Sequence, residues 1–285
     1  MEIHQKALVR LLSDHGKSLH KGLGQNFLIN ERILRTIADA AGKDGNILEI
    51  GAGVGWLSAL LCAQNKQVVT IEIDSSLRPI LAQTVPYENF TLHIEDILKA
   101  HLPALSRQYF HGEICTLVGN LPYYITSDIL EKLMHCSNIF DRAVIMVQAE
   151  FAERMRALPG SKKYRAMTVL ARYFFDISPI CTVSPDCFYP APHVKSAVIL
   201  LSVRQNRPLP PEKEAAFCRF VKAAFSNRRK KISALAGLFN RSKSEMEAAL
   251  QTIKKGADIR AETLTESEFA TLFKQLQKAE NTPAD

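Results

Sequence analysis

Five short apolar runs alternating with helix-like stretches constrain this chain more than any other feature. They are Asn46 to Ile50, Gln67 to Ile73, Phe90 to Ile94, Glu113 to Gly119 and Arg142 to Gln148. Each is of strand length and nearly continuous in apolar character, the pattern of strands buried on both faces. Between them lie helical patterns at Gly55 to Ala63, from Ser75 onward, and at Ser127 to Cys136. Ahead of the first strand, Asn30 is placed to cap a helix over Glu31 to Ala41, and Gly42 to end it. Such alternation predicts an α/β domain whose mostly parallel sheet is covered by helices on both faces. Arg172 to Val183 and Ser196 to Val203 are expected to add an antiparallel pair at its edge.

At Arg204 the character changes. Arg204-Gln205-Asn206-Arg207-Pro208-Leu209-Pro210-Pro211 is polar and proline-rich, and the chain beyond it is helical in spacing. Glu212 to Phe225 repeats apolar residues along one face, and Ser242-Lys-Ser-Glu245 and Thr265-Glu-Ser-Glu268 are capping boxes. The expected organisation is therefore an α/β domain over 1–203 and a small all-helical domain over 204–285. Between Arg204 and Arg260 stand 14 Lys/Arg against 5 Asp/Glu. The whole chain carries only +7, so the rest is slightly acidic. A basic block confined to one region suits a polyanion, with RNA or DNA favoured over a membrane, and Arg228-Arg229-Lys230-Lys231 is its densest part.

Other classes are disfavoured. No apolar run nears the ~20 residues that span a bilayer. Met1 to Lys21 carries charges and histidines rather than a signal peptide's apolar stretch. The 6 cysteines are scattered without C-x-x-C spacing, which fits reduced thiols in a cytosolic protein and no zinc site.

Chemistry concentrates at the strand ends. Gly51-Ala52-Gly53-Val54-Gly55 comes directly after the first strand, where glycines let a ligand approach the backbone and a helix N-terminus offers free N–H groups. A dinucleotide fingerprint requires glycine at the sixth position, and Trp56 stands there. The G-x-G-x-G spacing is instead usual in S-adenosylmethionine enzymes. Glu72 closes the second strand, placed to accept bonds from ribose hydroxyls, and Asp96 lies just past the third, within reach of an adenine amino group. Either acid alone reads better as a helix cap. Their succession at three strand ends argues for a ligand site. Asn120-Leu121-Pro122-Tyr123 ends the fourth strand and supplies an amide acceptor, a rigid turn and a flat ring. Alone it reads as readily as an ordinary turn.

These blocks, in this order, resemble the KsgA/Dim class of ribosomal RNA adenine N6,N6-dimethyltransferases, relatives of the Erm resistance methyltransferases. The resemblance is carried by Gly24-Gln25-Asn26-Phe27-Leu28, Glu49 to Gly53, Ile71-Glu72-Ile73-Asp74 and Asn120 to Tyr123. Val183 to Val198 and Ala224 to Lys231 complete the set, the last being closer to the KsgA-type helical domain. It implies a Rossmann-like S-adenosylmethionine-dependent methyltransferase domain that dimethylates two adjacent adenosines in the 3′-terminal hairpin loop of small-subunit rRNA. The partner it implies is an immature 30S particle, met by a monomeric, metal-free cytoplasmic enzyme active in ribosome biogenesis. Cofactor contacts are implied for Gln25, Asn26, Leu28, Gly51, Gly53, Glu72, Ile73, Asp96, Ile97 and Asn120. Catalytic roles are implied for Asn120, Leu121, Pro122 and Tyr123, with Phe188 as a second stacking ring, and RNA contacts for Arg228, Arg229, Lys230 and Lys231. An Erm-type enzyme of large-subunit RNA, and an assembly factor with dispensable catalysis, remain as alternatives. Two departures stand out: Tyr124 where relatives carry a small polar residue, and Arg165 after Tyr164 where they carry glycine.

Overall fold

The computed structural model describes residues 2–17, 26–227 and 230–278. The strands are β1 (Phe27–Leu28), β2 (Asn46–Ile50), β3 (Gln67–Glu72), β4 (Phe90–Ile94), β5 (Cys115–Asn120), β6 (Phe140–Gln148), β7 (Phe175–Val183), β8 (Phe188–Tyr189) and β9 (Ser196–Val203). Seven of them form one sheet in the order β4-β3-β2-β5-β6-β9-β7. From β4 to β6 every neighbour is parallel, and β9 joins β6 antiparallel. β1 and β8 make a separate two-stranded pair.

The sheet order grows out of the sequence pattern. All five residues of β2 are buried, as a central parallel strand with helices on both faces requires. The chain runs outward from β2 through β3 to β4, then returns to place β5 on the other side of β2. That reversal is a topological switch point: β2 and β5 stay paired to Ile50 and Gly119, and the connections leaving them part to open a crevice outside their carboxyl ends. Helix Glu31–Ala41 begins as expected, with the Asn30 side chain accepting the Ile33 N–H, and Gly42 ends it at φ 92°.

The chain divides into two compact units. One comprises Met1–Ala152 with Asp176–Val203, the other Glu153–Phe175 with Arg204–Asp285. The polar segment at Arg204 is thus one of several crossings between them, and the crossing after Ala152 has no shift of composition to mark it. In the second unit, helix Pro211–Phe225 contributes Phe217 and Phe220, whose rings meet Phe273 at 5.7 and 5.5 Å. Both anticipated capping boxes form, at Ser242 with Glu245 and at Thr265 with Glu268.

One expected strand is shorter. Arg172 to Phe174 belong to helix Ala166–Phe174, and β7 starts at Phe175. Val169, Leu170, Tyr173 and Phe174 are buried at helical spacing, and this stripe overrides the strand-like residues. The absent glycine at 165 does no harm. Arg165 sits at φ −138°, ψ 173°, an extended conformation open to any residue, and caps that helix.

Candidate active site

A cleft opens at the carboxyl ends of β2, β3 and β5, on the side where the switch point lies. It is lined by Gly51 and Gly53 after β2, Glu72 and Ile73 around the end of β3, Asp96 and Ile97 after β4, and Asn120 to Tyr123 at β5. Asn26 and Leu28, in and beside β1, join them. The structure therefore gathers residues nearly a hundred positions apart into one wall.

The floor is made by the first turn. Gly51 has φ +82°, which side-chain-bearing residues avoid, and its N–H donates to the Ile71 carbonyl at 2.8 Å. A β-carbon there would lie 4.0 Å from the Asn120 carbonyl oxygen, so the two strand ends nearly touch. Glu72 holds this turn from the neighbouring strand. One carboxylate oxygen accepts the Gly53 N–H at 3.2 Å and the other accepts the Asp74 N–H at 2.8 Å. Burial pushes its pKa upward, opposed by these backbone bonds. With about four lone-pair sites on its two oxygens, the carboxylate keeps acceptor capacity for a ligand hydroxyl.

Behind the floor lies Glu49, fully buried. Ser58 and Thr70 hydroxyls donate to the same oxygen at 2.5 and 2.6 Å, and the other has no hydrogen-bond partner among the described residues. Burial pushes this carboxyl up to about 7, against the pull of the two hydroxyl bonds.

Asn120 ends β5. Its side-chain N–H2 donates to the Asn26 backbone carbonyl at 3.3 Å. A carbonyl can only accept, so this contact decides which way the amide points and leaves Oδ1 as an acceptor toward the cleft. The Leu121 N–H donates to Met146 O on β6 at 3.1 Å, while the Pro122 carbonyl accepts Ile125 N–H and the Thr126 hydroxyl. The turn is thereby fixed at both ends, and the Leu121 carbonyl accepts no hydrogen bond among the described residues. Tyr123 is half-buried, its hydroxyl 2.5 Å from that of Ser196, and burial raises its pKa. Tyr124 beside it is 68% exposed.

Most of the expected site residues meet here; some do not. Phe188 pairs with Leu28 across β1 and β8, is 2% exposed and belongs to the core rather than to the cleft wall. Gln25, Arg228 and Arg229 lie outside the described residues. Lys230 is exposed, and Lys231 forms an ion pair with Asp258. Sequence reasoning passed over Leu98 and Tyr124 as cleft residues, although an apolar residue two positions after Asp96 was a readable signal. It also passed over Ser196 as a site residue, although that serine lies within the Val183 to Val198 block.

The set fits S-adenosylmethionine: an acid for the ribose at Glu72, one at Asp96 for an amino group, and exposed Ile73 with Ile97 as apolar walls for a flat base. Among the described residues no cluster of His, Cys, Asp or Glu could hold a metal. Fold and site together define an S-adenosylmethionine-dependent methyltransferase. Residues 16–278 match the family model described as ribosomal RNA adenine dimethylase. A curated relative, "Ribosomal RNA small subunit methyltransferase A" of Ligilactobacillus salivarius, is 39% identical over 276 residues, covering 94% of this chain and 93% of that protein. A dimethyladenosine transferase from Plasmodium falciparum superposes with TM-score 0.76 at 26% identity, covering 88% of this chain and 97% of the other. The 23S rRNA methyltransferase ErmE does so at 0.66, also 26% identical, covering 88% and 100%. The chain belongs to the ribosomal RNA adenine dimethylase family.

Proposed function

We propose that the protein transfers methyl groups from S-adenosylmethionine to the N6 amines of two adjacent adenosines in the 3′-terminal hairpin loop of small-subunit rRNA, within an immature 30S particle. The observation that carries the chemistry is the Asn120 amide, turned by Asn26 so that an acceptor oxygen remains for the substrate. Similarity to small-subunit methyltransferases over 94% of the chain supports the choice of RNA.

An adenine N6 is a poor nucleophile because its lone pair is delocalised into the ring. Two acceptors, Asn120 Oδ1 and the Leu121 carbonyl, take its two N–H groups and favour a pyramidal nitrogen whose lone pair is directed outward. Positioning is the main catalytic device. The bound cofactor supplies a methyl group activated by an adjacent sulfonium. Asn120 is neutral and no strong base is required, because the nitrogen becomes acidic as it acquires the methyl. Pro122 fixes the direction of the Leu121 carbonyl. Tyr123 stacks on the flipped adenine. Glu72, Ile73, Asp96 and Ile97 hold the cofactor's nucleoside, with Asn26, Leu28, Gly51 and Gly53 beside it.

The helical segment over 204–285 acts as the RNA-binding domain, with Arg228, Arg229, Lys230 and Lys231 as phosphate contacts and binding that weakens as salt rises. The protein works as a monomer in the cytoplasm. The test is incubation with S-adenosylmethionine and small subunits lacking the modification, with naked large-subunit RNA in parallel. Dimethyladenosine in the small subunit alone supports this reading; dimethylation of the large-subunit RNA moves the protein to the Erm type.

A further inference from the structure

We propose that Ser196 is a positioning residue for methyl transfer, holding the Tyr123 ring in the plane at which it meets the adenine. The inference rests on the reading of Tyr123 as the stacking ring. Ser196 opens β9, is fully buried, and pairs with Gln148 on β6. β6 in turn pairs Met146 with Asn120 on β5. The Ser196 hydroxyl, 2.5 Å from that of Tyr123, therefore refers the far end of the ring to the same sheet that carries the N6 acceptor.

Tyr123 sits in a three-residue 3-10 turn that restrains its backbone but not its side-chain torsions. Among the described residues the ring has no other hydrogen bond and no aromatic neighbour. Tyr124, in the same turn, makes no hydrogen bond among those residues and is largely exposed. The two rings thus share a backbone and differ in whether their hydroxyl is held. A stacking ring that must be in place before the base arrives gains from being held. The plainer alternative is that the two hydroxyls satisfy each other and nothing more.

Steady-state methylation of unmodified small subunits by the full-length protein separates the two. Ser196→Ala and Tyr123→Phe are each expected to lower kcat by about 3- to 10-fold, the range of one net hydrogen bond, with KM and cofactor affinity unchanged. The double variant should be no slower than either single one, and Ser196→Thr should restore the rate. In a hairpin RNA with 2-aminopurine at the target position, quenching of the flipped base should weaken in both single variants. Wild-type kcat and quenching in both, with Tyr123→Ala inactive, would overturn the role of Ser196 while sparing the stacking reading. So would a Ser196→Ala protein whose slower turnover is matched by lost cofactor affinity and a lower melting temperature, with Tyr123→Phe unaffected. Full activity in Tyr123→Ala would overturn both.

Discussion

The Asn120 side-chain amide donates to the Asn26 backbone carbonyl across 3.3 Å, joining residues 94 positions apart in the chain. This contact turns a common strand-end turn into an oriented acceptor. Replacing Asn120 with alanine should lower kcat by at least about 100-fold, as losing one preorganised transition-state partner does elsewhere. Cofactor affinity should stay within a few-fold. Asn120→Asp should also fail, because a carboxylate oxygen would then face the Asn26 carbonyl. Single-turnover rates beside calorimetric titration with S-adenosylhomocysteine check both; an active Asn120→Asp protein would contradict the orienting role of Asn26.

Glu72 braces the cofactor turn through two backbone N–H groups. Glu72→Gln keeps the shape but offers one acceptor oxygen where two are needed. The dissociation constant for S-adenosylhomocysteine should rise roughly 10- to 100-fold, the range for hydrogen bonds to a charged group. An unchanged constant would place the ribose elsewhere.

Gly55 shows how tightly the turn is built. It has φ +82°, and a β-carbon there would lie 2.6 Å from both Thr84 Oγ1 and Val85 Cγ2. Gly55→Ala should therefore destabilise the fold by about 3 kcal/mol or more, from backbone strain and overpacking together. Gly160, at φ +83° with open space around it, separates the two causes. Gly160→Ala should cost only the strain, about 1–2 kcal/mol, in denaturant titrations.

Glu49 predicts a pH dependence of stability. Its folded pKa, about 7, lies above the ordinary 4.5, so the folded chain holds this proton more tightly than the unfolded one. Its contribution is fully present below about 4.5 and is lost as pH rises through about 7. Glu49→Gln cannot ionise. Its stability relative to the parent should therefore improve by on the order of 2–3 kcal/mol between pH 4.5 and pH 8. Parallel stability curves across that window would show that Glu49 ionises without penalty.

Local chemistry made much of the fold legible, and its limits are equally physical. The bounds of β2 and β4 and of helix Glu31–Ala41 were readable because caps and apolar runs are local signals. Helix Gln5–Asp14 was missed although Leu8 and Leu12 are buried at helical spacing, because its polar face dominates the composition. The grouping of Glu153–Phe175 with the helical unit depends on contacts such as the Tyr164 hydroxyl donating to the Leu264 carbonyl, 100 residues away. Gly51, Glu72, Asp96 and Asn120 could be placed at strand ends, since alternation fixes where those ends point. The bonds from Asn120 to Asn26 and between Ser196 and Tyr123 could not, because register across a sheet is set by the whole domain. Which of the counted cations are already paired was also beyond the sequence: Arg207 is held by Glu214 and Lys231 by Asp258.

Nucleoside mass spectrometry tests the central claim most directly. Small ribosomal subunits lacking the modification would be incubated with S-adenosylmethionine and either the parent protein or Asn120→Ala. N6,N6-dimethyladenosine should appear in the 3′-terminal hairpin with the parent and be absent with the variant. Equal dimethylation by both proteins, or none by a parent shown to bind cofactor, would contradict it.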